Sequence, residues 1–486
     1  MRSRIRSFMP LFILLIAGAL LWACAKDYVT GKQTFSLVGE SQEIAIGRET
    51  DPAIVAEFGV YEDRELAALV NEVGQKLVKA SHRPTLPFTF RVVDSPVVNA
   101  FALPGGYVYF TRGILAHFNS EAELAGVMGH EIGHVTARHG AEQQSKAQLA
   151  TLGLGLATVF SEGFRRYGQL AQTGLGLFFL KYSRDNESES DQLGVEYSTK
   201  SGYDSMHMSR FFRTIGRIGE KSGSSIPNFL STHPNPANRE QRVAQLTAQW
   251  QKEVPGPHNG GTDRAAYIRR IDGLVYGEDP RQGFVEGGYF YHPELRFQFQ
   301  VPSKWQVANQ PSQVQMINAE QTAAIQFSLE KGASAQEAAQ TFAQNSQARV
   351  LRSSAAQVNG MRAYVIVSDV QTQNAQNGGA MRVMSYFIEK DNRVYVFHGY
   401  TAASNFDSQA STFENVMKSF DQLRNQAALS KQPRRLKLVT VDQAGDLRQV
   451  LSRSGVKAEE LDDFAILNGM NLEDRLDRGA LVKVVQ

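Results

Sequence analysis

His130-Glu131-Ile132-Gly133-His134 is an H-E-x-x-H motif. On a helix, positions four apart lie on one face, one turn from each other. Both imidazoles then aim at a single metal ion. Glu131 sits about 100° round the helix, where it suits a water on that metal better than the metal itself. The bare pattern also arises by chance on amphipathic helices, so a third donor is needed. A catalytic zinc typically takes three protein ligands and keeps the fourth position for water. Downstream, Glu187 and Asp191 are four apart within Tyr182-Ser183-Arg184-Asp185-Asn186-Glu187-Ser188-Glu189-Ser190-Asp191. A carboxylate here could complete a two-histidine, one-carboxylate set. Asp191, one turn on, could accept the free N–H of a ligand histidine and fix its tautomer. The same residues also fit a solvated acidic helix start, favoured by the helix dipole.

Several elements must position these groups. Ser120 and Glu123 form an S-x-x-E capping box, and no proline follows before His139. Leu66, Leu69, Val70, Val73 and Leu77 share one helical face, which predicts an amphipathic helix over 62–80. Phe88, Phe90 and Val92 alternate with polar residues as in a half-buried strand. Residues 97–101 and 107–111 flank Pro104-Gly105-Gly106, a strand pair around a turn. The Leu-, Gly- and Ala-rich stretch 145–180 reads as a buried helix pair, with a membrane-dipping segment or lid as the alternative. Glu187 to Ser201 reads as a helix closed by Gly202, and 207–222 and 236–252 are helical too. The stretch before them, to about 60, reads as a loop leading into a short helix. His139, five past His134, falls off the ligand face and reads as structural.

The N-terminus is a separate matter. Arg2, Arg4 and Arg6 precede an apolar run from Phe8 to Trp22, too short to span a membrane and suited to a signal peptide over 1–23. Leu21-Trp22-Ala23-Cys24 resembles a bacterial lipobox, with Trp22 departing from the usual small residue. Cys24 is the expected lipidation site, and the acyl chains the expected membrane anchor. Ala25 is not the Asp that retains some lipoproteins at the inner membrane, so a periplasmic chain anchored at the outer membrane is expected. Cys24 is the only cysteine, which excludes internal disulfides and cysteine-ligated zinc. Removing 1–23 takes three arginines with it and turns a net charge of +2 into −1. No nucleic-acid partner is expected.

At 486 residues the chain is too long for one ordinary core. Pro255-Gly256-Pro257-His258-Asn259-Gly260-Gly261 is its clearest linker. The expected organisation is a catalytic domain over 24–262, a connecting helix or linker over 263–283, an α+β accessory domain over 284–424, and a small module over 433–486. Leu295, Phe297, Phe299 and Val301 alternate as a strand in the accessory domain. Lys390-Asp391-Asn392-Arg393 joins a hairpin there, and Phe413, Val416, Met417 and Phe420 mark a helix. That domain shows no cluster of chemistry-bearing residues and reads as a binding or spacer module. The last fifty residues resemble a degenerate LysM module, through Val439-Thr440-Val441, Gly445-Asp446-Leu447, Leu467-Asn468-Gly469 and Leu476 to Val484. The Thr usual after Gly-Asp is absent. The resemblance implies a small βααβ fold that binds glycan such as peptidoglycan, against a protein-contact or purely structural role.

The region 27–250 resembles the gluzincin metallopeptidases of the family that includes the CAAX prenyl protease, HtpX and the periplasmic protease BepA. Six ordered motifs carry it: V-T-G-K with S-Q-E-I-A-I-G near the start, N-A-F-A-L-P-G-G at 99–106, G-H-E-I-G-H at 129–134, S-R-D-N-E-S-E-S-D at 183–191, G-Y-D at 202–204, and T-H-P-N-P-A-N-R at 232–239. The resemblance implies a mainly helical zincin-type domain with a small, edge-exposed sheet, giving an α+β chain overall. It implies one zinc per chain on His130, His134 and Glu187, with Glu131 as general base and Asp191 behind the ligands. Ser190 stands where the family commonly has Ala. His233 and Arg239 are implied to meet the substrate carbonyl or its oxyanion, with His233 on the metal at rest in BepA-like members. The strand at 97–103, with Asn99, Ala100 and Phe101, is implied to pair with an extended substrate. The expected activity is therefore an endopeptidase acting on unfolded or misassembled envelope proteins. The rival reading is a chaperone-like or peptidoglycan-binding scaffold with a mainly structural metal site.

Overall fold

A computed structural model describes residues 24–31, 33–151, 181–221, 229, 232–233, 238–330, 334–370 and 381–486. The expected signal peptide and most of the expected helix pair at 145–180 lie outside the described residues. The chain forms two compact units. One comprises residues up to 55 with 59–277 and 435–486; the other comprises 56–58 with 278–434. No described helix is long and apolar enough to cross a membrane.

The first unit opens with β1 (Cys24–Lys26) paired to β2 (Gln33–Phe35). Next comes α1 (Glu40–Phe58), a 19-residue helix with Pro52 inside it, longer than the short helix expected. Tertiary contacts hold it across the proline. Asp51 accepts two bonds from Arg91, at 2.7 and 2.6 Å, and one from the Tyr109 hydroxyl at 2.8 Å. Helix α2 (Arg64–Ala80) buries the predicted leucine and valine face. Strands β3 (Thr89–Val93), β4 (Ala100–Leu103) and β5 (Tyr107–Thr111) form a sheet in the order β3-β5-β4, with β4 antiparallel to β5 at an edge. The turn between β4 and β5 needs Gly105 and Gly106, both at positive φ.

Helix α3 (Arg112–His117) leads into α4 (Glu121–Thr136), the H-E-x-x-H helix. The cap differs from the predicted box in one bond. Ser120 Oγ accepts the Glu123 N–H at 3.2 Å, but the Glu123 carboxylate accepts the Asn119 N–H at 2.7 Å, one residue earlier than a box requires. After α4 come α5 (His139–Thr151), α6 (Arg184–Lys200), α7 (Met206–Lys221), α8 (Arg239–Glu253) and α9 (Arg264–Arg270). Tyr267 and Ile268 of α9 join the same core as α4 and α6.

The second unit holds two antiparallel sheets. Strands β6 (Phe284–Glu286), β7 (Tyr289–His292) and β8 (Phe297–Gln300) form a four-stranded sheet with a later strand. Strands β9 (Gln306–Gln310), β10 (Gln313–Ile317) and β11 (Ala323–Glu330) precede α10 (Ala335–Asn345). The chain continues through β12 (Arg349–Val358), β13 (Met361–Val370), β14 (Met381–Lys390), β15 (Arg393–Ala402), α11 (Phe406–Lys418) and β16 (Asp421–Gln422). The large sheet runs β12-β13-β14-β15-β11-β10-β9. The β14–β15 hairpin turns at Asp391 and Asn392, both at positive φ as a type I′ turn requires.

The chain then returns to the first unit. Strand β17 (Leu436–Thr440), helices α12 (Leu447–Arg453) and α13 (Leu461–Leu467), and strand β18 (Leu481–Val485) make a βααβ arrangement, with β17 antiparallel to β18. It has its own small core, yet it is built into the first unit rather than appended to it. Lys483 is fully buried, and its Nζ donates to the carbonyls of Ala116 and Phe118 at 2.8 and 2.9 Å. Those carbonyls end α3, immediately before the cap of α4. Burial pushes the Lys483 ammonium well below its usual range, with Arg264 adding to the effect and Glu123 opposing it. Burial likewise pushes Glu123 up to about 7. Arg264 donates to the Leu481 carbonyl and, at 2.7 Å, to Asn468 Oδ1. Lys483→Met would leave two buried carbonyls without a donor and Glu123 without its nearest lysine. Such losses cost about 3 kcal/mol or more, so denaturant unfolding of the full chain is expected to shift to a clearly lower midpoint. An unchanged midpoint would mean Lys483 does not anchor the C-terminal strands.

Candidate metal centre

Helix α4 buries every residue from Ala122 to Thr136. Its glycines let α6 approach closely. A Cβ on Gly129 would lie 2.9 Å from the Gly194 carbonyl, and one on Gly194 would lie 2.9 Å from the His130 nitrogen. A Cβ on Gly133 would meet Ser190 Cα at 3.2 Å. Helix α6 is fixed by a capping box in which Ser183 and Asn186 bond reciprocally. The result brings Glu187 and Asp191 to the histidine face of α4.

Four donors converge there. His130, His134, Glu187 and His233 each offer one ligand atom, all within 4.8 Å of one another and all buried. His130 Nε2 lies 3.0 Å from His134 Nε2 and 3.2 Å from His233 Nδ1. His233 Nδ1 lies 3.0 Å from Glu187 Oε1. The Glu187 oxygens lie 3.4 Å from His134 Nε2 and 3.6 Å from His130 Nε2. A zinc ion bonded to four N and O donors at its usual lengths sets donor–donor edges of roughly 3.3 Å. The spacing and the donor chemistry therefore fit zinc.

Hydrogen bonds behind the donors select the nitrogens that face inward. His130 Nδ1 donates to Asp191 Oδ1 at 2.9 Å. Arg239 grips both oxygens of Asp191, with Nε and Nη2 each at 2.7 Å, and Nη2 lies 3.2 Å from Glu187 Oε2. Burial raises both carboxyls, but the charges opposite them win. His233 and Arg239 hold Glu187 well below its usual range, and Arg239 and His130 lower Asp191. Burial drives His134 well down, so it is neutral and able to donate a lone pair. His233 is raised, because Glu187 and Glu131 outweigh the effect of burial.

Glu131 differs from the other carboxylates. Both its oxygens are buried without a hydrogen-bond partner among the described residues, and burial raises its carboxyl. Its Oε1 lies 3.6 Å from His233 Nε2; that nitrogen and Arg239 Nη1 are likewise buried without a hydrogen-bond partner among the described residues.

The edge strand lies beside this centre. Thr111 N–H donates to the Asn99 carbonyl at 3.1 Å. By antiparallel alternation, residues 99, 101 and 103 then turn their main-chain groups toward β5, and 98, 100 and 102 turn theirs to the opposite edge. Of the residues expected to pair with substrate, Ala100 has its main chain on that edge, where it is fully buried. Asn99 contributes instead a buried Oδ1 without a hydrogen-bond partner among the described residues. The Val98 carbonyl accepts the Phe229 N–H at 3.2 Å. His233 N–H donates to the Phe229 carbonyl at 2.8 Å, and the two rings stack. One short segment thus touches both that edge and the metal centre.

His139 is not among the converging donors, as its spacing implies, but it packs behind one of them. Its Nδ1 lies 2.9 Å from His134 Nδ1, and its Nε2 lies 3.2 Å from Glu189 Oε2. Helical extrapolation fails because α4 ends at Thr136 and Arg138 adopts a left-handed φ of 62°. The chain turns there and brings His139 back behind the ligand. Tyr182, which stacks on His134 at 4.0 Å between ring centroids, had no signal in spacing at all.

Comparison with known proteins agrees with this geometry. The peptidase family M48 model matches residues 64–247, and the PsbP model matches residues 289–422. The chain is 33% identical over 224 residues to a putative beta-barrel assembly-enhancing protease of Vibrio cholerae, covering 44% of this chain and 46% of that protein. It is 30% identical over 219 residues to the beta-barrel assembly-enhancing protease of Escherichia coli, covering 43% and 44%. It is also 33% identical over 211 residues to the mitochondrial metalloendopeptidase OMA1 of Arabidopsis thaliana, covering 42% of each. In each case the match spans less than half of the relative.

Partners that orient a metal-bound histidine typically contribute 10- to 100-fold in metal affinity. His139→Ala is expected to weaken zinc binding by roughly that factor in a chelator competition. Unchanged affinity would show that His139 does not orient His134.

Proposed function

Because residues 64–247 belong to peptidase family M48, we propose that this chain is a zinc endopeptidase of the bacterial envelope that cleaves unfolded or misassembled envelope proteins. The observation that carries the reading is Glu131. A structural metal site has no use for a buried carboxylate whose oxygens both lack a hydrogen-bond partner among the described residues, beside four convergent donors.

His130, His134 and Glu187 would hold the metal, with Asp191 and His139 fixing the orientation of the two histidines. When bound, zinc supplies a Lewis acid that acidifies water and polarises a carbonyl. Glu131 takes a proton from the attacking water on a carboxylate oxygen and returns it to the leaving amine. Its raised affinity for a proton suits both halves of that task. Arg239 Nη1 is the donor left for an oxygen of the substrate, since Nε and Nη2 are committed to Asp191. His233 either occupies the fourth ligand position or faces the substrate, and cannot do both at once. It acts as a gate, in a segment that also takes the Val98 carbonyl on the edge of β4 away from β5.

The substrate pairs as an added strand with Ala100 and Ala102. Main-chain pairing reads shape rather than sequence, so it selects extended chains and excludes folded ones. The names of the bacterial relatives, the signal-like N-terminus and the lipobox around Cys24 support an envelope location and a lipid anchor at the outer membrane. The LysM-like resemblance of 433–486 adds peptidoglycan as a partner in the same compartment.

Glu131→Gln is expected to keep zinc and lose cleavage of an unfolded protein substrate by several orders of magnitude; undiminished cleavage would sink the assignment. His233→Ala, assayed at saturating zinc, is expected to raise cleavage by opening the fourth position. Activity equal to the unaltered chain would count against the gate.

A further inference from the structure

Tyr182 touches the supports of three of the four donors, and none of the chemistry above uses it. It immediately precedes Ser183, the cap of the helix that carries Glu187. Its ring lies nearly flat on His134, with 4.0 Å between centroids and 21° between planes. Its main-chain N–H donates to the Thr232 carbonyl at 3.3 Å, one residue before His233. The same ring reaches His233, at 5.8 Å and 38°, within the range of roughly 4.5–7 Å over which aromatic pairs attract. His233 thus has two aromatic neighbours, since Phe229 stacks on it at 4.7 Å. The two neighbours differ in what carries them. Phe229 is four residues before His233, and the His233 N–H donates to its carbonyl at 2.8 Å. That pair can move as one turn. Tyr182 is buried and anchored elsewhere, by its stack on a ligand of α4 and by its place at the start of α6. It cannot follow His233 away from the other donors.

We propose that Tyr182 is a positioning residue that holds His233 in the donor position, and so sets how often the fourth position of the metal stands open. The inference rests on the gate reading above. A group shifts an equilibrium between two states only through contacts that differ between them. The Phe229 stack can persist in both states. The Tyr182 contact exists only while His233 faces the other donors. The bond to Thr232 acts in the same direction, because it ties the backbone beside His233 to the residue that leads into α6. Removing the ring therefore favours the open state. Phenylalanine at this position keeps both contacts, since the ring and the main chain carry them and the hydroxyl does not.

The test titrates acetohydroxamate, a small zinc-binding group, into the zinc-loaded full chain by calorimetry. The probe needs an open position on the metal, so its apparent affinity scales with the fraction of chains in which His233 is off the metal. Tyr182→Ala is expected to tighten acetohydroxamate by roughly three- to tenfold, the worth of one aromatic contact. Tyr182→Phe is expected to stay within about twofold of the unaltered chain. In a His233→Ala background the position is already open, so adding Tyr182→Ala should change the affinity by less than about twofold, the signature of two residues acting through one contact. Zinc content and the thermal transition show that each variant is loaded and folded. Tyr182→Leu keeps apolar bulk against His134 and carries the same expectation if the alanine variant does not fold. An affinity unchanged by loss of the ring, or shifted equally in both backgrounds, overturns the role of Tyr182. If His233→Ala alone fails to tighten acetohydroxamate, the gate reading fails instead.

Discussion

Three imidazoles and a carboxylate face one another in a space that excludes water. Their ligand atoms lie within 4.8 Å of each other, and none of the four side chains is more than marginally exposed. Lone pairs crowded in this way repel unless a cation sits among them. Most features of the first unit make sense as devices that force the crowding. The glycines at 129, 133 and 194 remove the side chains that would keep α4 and α6 apart. Asp191 and His139 turn the second nitrogen of each α4 histidine outward, and Arg239 clamps Asp191 in place. Burial costs each of these charges some stability, and the two hydrogen bonds from Arg239 to Asp191 offset part of that cost. Glu131 is left out of the pairing, which is what a base requires.

The cap of α4 extends this logic to the end of the chain. The helix starts at Ser120, just after the carbonyls that accept from Lys483. The C-terminal strands therefore reach the root of the metal-binding helix, although more than three hundred residues of sequence separate the two. The converging donors and the C-terminal strands belong to one compact unit.

Much of the metal centre was legible in the chain itself. H-E-x-x-H and the pair Glu187 and Asp191 obey helical spacing, and spacing survives folding because helices are locally determined. In the second unit, strand β8 was legible through alternation and the β14–β15 hairpin through its Asp391-Asn392 turn. The failures share a cause as well. The contact of His139 with His134 was not legible because a helix break at Arg138 resets the angle that spacing relies on. Helix α1 was underestimated because Asp51 is anchored by Arg91 and Tyr109, residues 40 and 58 positions away. Tyr182, Phe229 and Lys483 gave no signal, since their partners are brought to them by the fold. Asn99, Ala100 and Phe101 were grouped as one strand, whereas only the register against β5 reveals which of them faces away from it.

The central claim is that this buried cluster is a zinc site whose fourth donor is His233. X-ray absorption at the zinc edge on the purified full chain tests it most directly. The account predicts one zinc per chain with three imidazole nitrogens and one carboxylate oxygen at about 2.0–2.1 Å, and two imidazoles in His233→Ala. Absence of stoichiometric zinc, or an imidazole count that is the same in both proteins, would contradict it.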